Sequence, residues 1–209
     1  MSVNIAMVDS SSFRSHGRSL LSLGPIGLFR LIRDLIVTKI CFKRARLVRW
    51  PFFIRNQGLL FIDEGFNADQ GLKLEVRHDR GKLHIGKRCF TNCCLHVAAI
   101  EEVVIGDDVL IASDVFISDH SHGEYTFHGS SPDVPPNDRP LISKPVYIGD
   151  RCWIGEKVSI LPGVTLGSGV VVGAGSVVTK SFPCDTVIAG VPARVIKKYA
   201  REVSEWRTV

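Results

Sequence analysis

The stretch "IGDRCWIGEKVSILPGVTLGSGVVVGAGSVVTK", Ile148 to Lys180, repeats itself every sixth residue. Aliphatic side chains stand at Ile148, Ile154, Ile160, Leu166, Val172 and Val178, and glycine follows four of them, at Gly149, Gly155, Gly167 and Gly173. Four residues after each aliphatic comes Cys152, Val158, Val164, Val170, Ser176 or Phe182, mostly small or β-branched. A period of six fits neither a 3.6-residue helix nor one long alternating strand. It fits short extended segments joined by tight corners, each turning one large aliphatic inward, with glycine where the backbone must turn without steric cost. Three such sides close a triangular coil of eighteen residues, and stacked coils bury a continuous apolar column. The expected fold is an all-β parallel solenoid.

Working outward, an earlier block repeats the scheme at Ile105, Ile111 and Ile117, followed by Gly106, Ala112 and Ser118, and by Val109, Val115 and Ser121. A weaker one begins at Ile85, Gly86 and Cys89. The run "GSGVVVGAG" at Gly167–Gly175 looks like a dinucleotide fingerprint, but its spacing is not GxGxxG and the hexads leave no room for a crossover helix.

The tandem hexads, "WIGEKVSILPGVTLGSGVVVGAGSVVTK" at Trp153–Lys180 and "AGVPARVI" at Ala189–Ile196, resemble the hexapeptide-repeat acyltransferases over residues 58–196. Within that superfamily the chain is most similar to sugar and polysaccharide O-acetyltransferases. The resemblance implies a left-handed parallel β-helix, the hand opposite to that of ordinary crossover connections. It also implies acetyl-CoA as co-substrate, a carbohydrate acceptor and a homotrimer with each site between neighbouring subunits.

The block ending at Ile117 and the block starting at Ile148 are out of phase, because 31 positions separate them, five hexads and one residue. The inserted segment, 123–145, carries Pro132, Pro135, Pro136, Pro140 and Pro145, which remove backbone donors and argue against regular strand. At the mouth of this loop lies "ISDHSHGEY", Ile117–Tyr125, with Asp119, His120 and His122 in four positions. The resemblance puts the catalytic histidine at His122. A sugar hydroxyl is a poor nucleophile until its proton has somewhere to go, and imidazole titrates near working pH. His120 is the second candidate, sharing a side with His122 if the strand persists that far. Asp119 is expected to orient one of them, to bind acceptor hydroxyls or to serve as a turn residue.

By the same resemblance Asn92 contacts the acceptor, Trp153, Gly155 and Ala174 line a coenzyme groove, Thr179 and Lys180 approach its nucleotide end, and Arg194 meets phosphate. Lys and Arg suit the last roles through charge-assisted bonding. The family's acidic acceptor residues are replaced by Ala99 and Ile100, so a different sugar is expected. Two rivals keep the fold: N-acetylation of a nucleotide-linked amino sugar, and a zinc lyase built from His96, His120 and His122. The His–x–His spacing does not suit the second, and no metal site is expected. His16, His78 and His84 read as surface or packing residues, and His128 as a lining of the loop.

Formal net charge is +5, but residues 1–58 hold ten Lys/Arg against Asp9 and Asp34, so the remainder is negative. Basic character confined to one end argues against a nucleic-acid-binding body. Between Ile26 and Phe42, Ile26, Phe29, Ile32, Leu35, Ile36 and Ile40 fall at helical spacing, followed by the basic and aromatic "FKRARLVRWPFF". This segment reads as a cap over the open solenoid end, with peripheral membrane association through residues 26–53 as the sharper alternative. Ile196, Tyr199, Val203 and Trp206 suggest a short C-terminal helix.

The expected organisation is a basic, partly helical segment over 1–57, the β-helix over 58–196 and a helical tail over 197–209. Met1–Ser12 shows no apolar signal region and Ile26–Phe42 is too charged to span a bilayer, so a cytoplasmic protein is expected, with the membrane's inner face as the finer alternative. Six cysteines without a CxxC pair read as core residues, not as disulfides or zinc ligands.

Overall fold

Each hexad becomes a two-residue strand and a corner, and every eighteenth residue falls on the same face. A computed structural model describes residues 24–126 and 129–209; the expectations for Met1–Ser12, His16 and His128 lie outside them. Three parallel sheets form the sides of a prism. The first face stacks Leu47–Val48, Asn67–Ala68, Phe90–Thr91, Leu110–Ile111, Trp153–Ile154, Val171–Val172 and Thr186–Gly190. The second stacks Phe52–Asn56, Leu72–Val76, His96–Ala99, Phe116–Ser118, Ser159–Ile160 and Val177–Val178. The third stacks Leu59–Ile62, Lys82–Ile85, Glu102–Ile105, Val146–Ile148 and Thr165–Leu166.

The inward residues form the expected column, with Leu74, Val97, Ile117, Ile160 and Val178 all buried on the second face. Within the block from Ile148 to Val178 the residues with positive φ are Arg151, Lys157, Gly163, Gly169 and Gly175, two places beyond the hexad glycine position. The hexad glycines meet a different demand: a Cβ on Gly155 would lie 2.6 Å from the backbone nitrogen of Ala174 in the coil above. Their smallness serves close stacking of coils, whereas the turn itself lies further along.

The solenoid begins at Leu47, eleven residues before the expected boundary, because Leu47–Val48 pairs in parallel with Asn67–Ala68 and Phe52–Asn56 with Leu72–Val76. Helix α1, Gly24–Cys41, lies against the first coil. Thr38 Oγ1 accepts the Val48 N–H at 2.8 Å and Asp34 accepts the Trp50 N–H at 3.2 Å, so two polar side chains satisfy donors along the first strand. No helix among the described residues is long and apolar enough to cross a membrane.

The other end differs from expectation. Ala193–Ala200 and Glu205–Thr208 are strands, the first antiparallel to Thr186–Gly190 and the second antiparallel to the first. The free edge of the last first-face strand offers a row of unpaired backbone groups, while a helix of so few residues is marginal by itself. Tyr199 and Trp206, expected on one helix face, meet instead as a cross-strand pair with ring centroids 5.2 Å apart.

Candidate active site

The excursion leaves the prism where the phase break requires. Ile117 stacks on Val97, and Ile148 on Ile105, so the 31-residue interval replaces one of 8 in the coil beneath. The arm has more order than its prolines suggest. His120–His122 pairs antiparallel with Leu141–Ser143, and a 3-10 turn spans Pro136–Asp138. Arg139 bonds the Pro132 and Val134 carbonyls and the Tyr125 hydroxyl, and Tyr125 in turn donates to the His122 carbonyl at 2.7 Å.

At the root of this stem Asp119 is fully buried. Its carboxylate accepts the N–H groups of Ile100, Glu101 and Glu102 at 2.8–3.0 Å and lies 2.8 Å from His120 Nδ1. Both oxygens are consumed inside the fold. This overturns the expectation that Asp119 binds an acceptor hydroxyl or forms an exposed turn: it ties the corner between the second and third faces to the imidazole of His120. Ser118, itself buried, adds its hydroxyl 3.3 Å from the same nitrogen. His120 is thereby almost covered, with 8% of its side chain accessible. His122, two residues on along a continuous strand, shares its face of the stem and stands exposed. Among the described residues the His122 side chain makes no hydrogen bond.

A second dyad, not foreseen from the sequence, lies on the outer side of the second face. His96 Nε2 is 2.9 Å from the Glu75 carboxylate, and the His96 ring packs edge-on against Phe116 at 5.2 Å. Burial holds the His96 imidazole below its usual range despite the attraction of Glu75. Glu75 is pushed up by burial, but hydrogen bonds from Lys73 and His96 outweigh that and hold it below the usual carboxylate range. Only strand register could have revealed this pair, since 21 residues separate its members.

The other candidates fall on two corners. Asn92, Ala112, Gly155 and Gly173 follow one another up the corner between the first and second faces, each N–H donating to a carbonyl of the coil above. Ala174 lies exposed beside this column, Trp153 flanks it half exposed on the first face, and Arg194 pairs with Ala189 at its upper end. A bare track of small residues therefore runs from Asn92 to Arg194. Thr179 and Lys180 lie elsewhere, beyond Val177–Val178 on the corner that also carries Asp119. Within one chain the track and the histidine stem stand at opposite edges of the second face.

Among the described residues no group of three or more His, Cys, Asp or Glu side chains is arranged to hold a metal ion. His96 and His120 are already engaged by carboxylates. His84 is paired with Asp63 at 3.0 Å, and His78 is exposed beside Asp79.

A triangular solenoid of hexapeptide coils interrupted by one histidine-bearing arm defines a class, and comparison with known proteins assigns the family. The family described as bacterial transferase hexapeptide (six repeats) matches residues 145–180. A protein of Escherichia coli K12, WbbJ, provisionally named a lipopolysaccharide biosynthesis O-acetyl transferase, is 46% identical over 185 residues, covering 88% of this chain and 94% of the relative. A solved galactoside acetyltransferase in complex with coenzyme A is 31% identical with a TM-score of 0.50, over 72% of this chain and 66% of that one. The N-acyltransferase AntD of Bacillus cereus, at 23% identity and a TM-score of 0.57, shares the fold over 80% of this chain and 90% of its own. The chain belongs to the hexapeptide-repeat acetyltransferases, and its prism is their left-handed parallel β-helix.

Proposed function

We propose that the protein transfers the acetyl group of acetyl-CoA to a sugar hydroxyl, with a cell-surface polysaccharide or its precursor as acceptor. The observation that carries the reading is the stem itself. The longest excursion from the coils among the described residues delivers an exposed imidazole, that of His122, on a strand whose root is anchored by His120 and the fully buried Asp119.

In this mechanism His122 accepts the acceptor hydroxyl proton as the oxygen attacks the thioester carbonyl carbon. The carbon–sulfur bond then breaks and the proton passes to the departing coenzyme sulfur, without an acyl-enzyme. Asp119 and His120 position the stem. The small-residue track from Asn92 to Arg194 suits an extended donor arm, with Trp153 beside it and Arg194 toward phosphate. Because track and stem occupy different corners of one chain, the reading includes a homotrimer, in which a neighbour's track faces the stem and Thr179 and Lys180 approach from the stem's side. It also includes work at the inner face of a membrane, where lipid-linked glycans are assembled.

The test is free-thiol release from acetyl-CoA with a panel of glycans, the product mapped by mass spectrometry. Acetyl esters on sugar hydroxyls are expected. Turnover of only a nucleotide-linked amino sugar, or activity lost to a chelator together with stoichiometric zinc, sinks the reading.

A further inference from the structure

Helix α1 is inside out. Its buried residues are Asp34 and Thr38, the two that bond the first coil. Its apolar stripe, Ile26, Phe29, Ile32, Ile36 and Ile40, is turned away from the solenoid, each side chain between 48% and 71% accessible. A helix that only capped the prism would turn that stripe inward. Roughly 100° per residue places the exposed Arg30 and Lys39 just outside the two margins of the stripe, while Arg33 falls inside its edge and is paired with Asp34. Next to the helix's C-terminal end the described residues surround a cavity of about 560 Å³, whose apolar walls include Phe52, Ile54 and Leu60 and whose polar lining is Lys43, Asn56 and Arg44, the last paired with Asp63 at 3.1 Å.

We infer that this end of the molecule docks on an anionic phospholipid bilayer, the apolar stripe of α1 lying in the interface and the cavity taking up apolar chain from the same surface. The charge pattern selects this occupant. Residues 24–49 carry seven Lys/Arg and one acid, Asp34, which is buried and bonded to Arg33 and the first coil. A second copy apposed through this stripe would bring cation against cation, whereas an anionic headgroup layer meets cations at both margins while the stripe enters the acyl boundary. Long basic side chains lend themselves to this, burying their stems and leaving the charge at the headgroups. Three coil steps, roughly 15 Å at strand spacing, separate the first coil from the one that extrudes the stem. An acceptor glycan anchored in that bilayer would thus meet the site a few sugars from its lipid. The docking surface stands independently of the acetyl-transfer reading, and only this last consequence rests on it.

The experiment is co-sedimentation of the full chain with vesicles of phosphatidylcholine containing phosphatidylglycerol, and with phosphatidylcholine alone. Binding at least about tenfold stronger on the anionic vesicles, weakening as salt rises, is expected. The triple change Phe29→Glu, Ile32→Glu and Ile36→Glu should abolish it while thiol release with a soluble acceptor and circular dichroism stay unchanged. Should the triple variant fold poorly, Lys39→Glu with Lys43→Glu must still erase the anionic preference. Wild-type protein left in the supernatant, or variants that bind as wild type does, overturns the inference. A triple variant whose assembly mass falls in light scattering assigns the stripe to a second copy, and deletion of residues 1–23 that raises vesicle binding assigns it to that segment; either result also overturns it. Loss of acetyl transfer with vesicle binding intact would count against the enzyme reading alone.

Discussion

The two corners flanking the second face are built on opposite rules. The corner from Asn92 through Ala112 and Gly155 to Gly173 repeats one geometry coil after coil, with little side chain and every N–H bonded to the coil above. The neighbouring corner at Asp119 keeps the stacking but breaks the repeat. There the chain leaves the prism, and a buried carboxylate replaces backbone carbonyls as acceptor for the N–H groups of residues 100–102. Periodicity produces a track, and its interruption produces titratable chemistry. An extended donor arm needs the first, and a proton transfer needs the second.

The contrast can be broken at the stem with the largest effect. His122→Ala should lower acetyl transfer by about 10²–10⁴-fold, with coenzyme binding by calorimetry and the urea midpoint nearly unchanged; retained turnover removes His122 from the mechanism. Asp119→Ala attacks the root instead. It removes the fully buried carboxylate that three backbone N–H groups and His120 share, so a loss of roughly 3 kcal/mol of stability is expected by urea denaturation. On the track, Gly155→Ala forces a Cβ to 2.6 Å from a backbone nitrogen. A stability loss of about 1–3 kcal/mol and a rise in the KM for acetyl-CoA exceeding any fall in kcat are expected.

Smaller effects sharpen the comparison. His96 is held below its usual pKa, chiefly by burial, and Glu75 also lies low, its bonds to Lys73 and His96 outweighing burial. Each group therefore binds fewer protons folded than unfolded. Stability is fully present above the ordinary histidine range, declines as pH falls through it, and declines again below the ordinary carboxylate range. His96→Gln should flatten the first of these declines in urea midpoints measured against pH. The smallest effect concerns two corner thiols. Burial pushes Cys89 and Cys152 up to about 11, and their Sγ atoms bond the carbonyls of Gly106 and Gly167 in the next coil. A thiol reagent at mildly alkaline pH should titrate Cys41, Cys94 and Cys184 in the native protein and reach Cys89 and Cys152 only on unfolding.

How much of this was legible beforehand differs element by element. The hexads from Ile148 to Val178 named their own faces, because a strand of two residues leaves one inward position and the stacking partner is always eighteen residues away. The start of the solenoid at Leu47 was hidden because its first coils carry irregular corners, seen in the unequal intervals from Leu47 to Asn67 and on to Phe90. The spacing of Ile196, Tyr199, Val203 and Trp206 suits a helix, yet the segment is strand, because spacing alone cannot announce that a free sheet edge waits beside Ala193–Ala200. The prolines of the arm argue for irregular backbone, although its two ends pair as strands.

By itself the sequence determined the prism, the place where its phase breaks and the residue types gathered at that break, since all three depend only on neighbours along the chain. The tertiary structure decided which of those residues is free. Asp119 and His120 look as available as His122 in the linear text, yet backbone donors from a strand turn some eighteen residues away claim the carboxylate, and the carboxylate claims the imidazole. Burial and hydrogen-bond competition are properties of the assembled corner, and so is the outward turn of the apolar stripe on α1, where two polar side chains facing the first coil decide which way a periodic helix rolls.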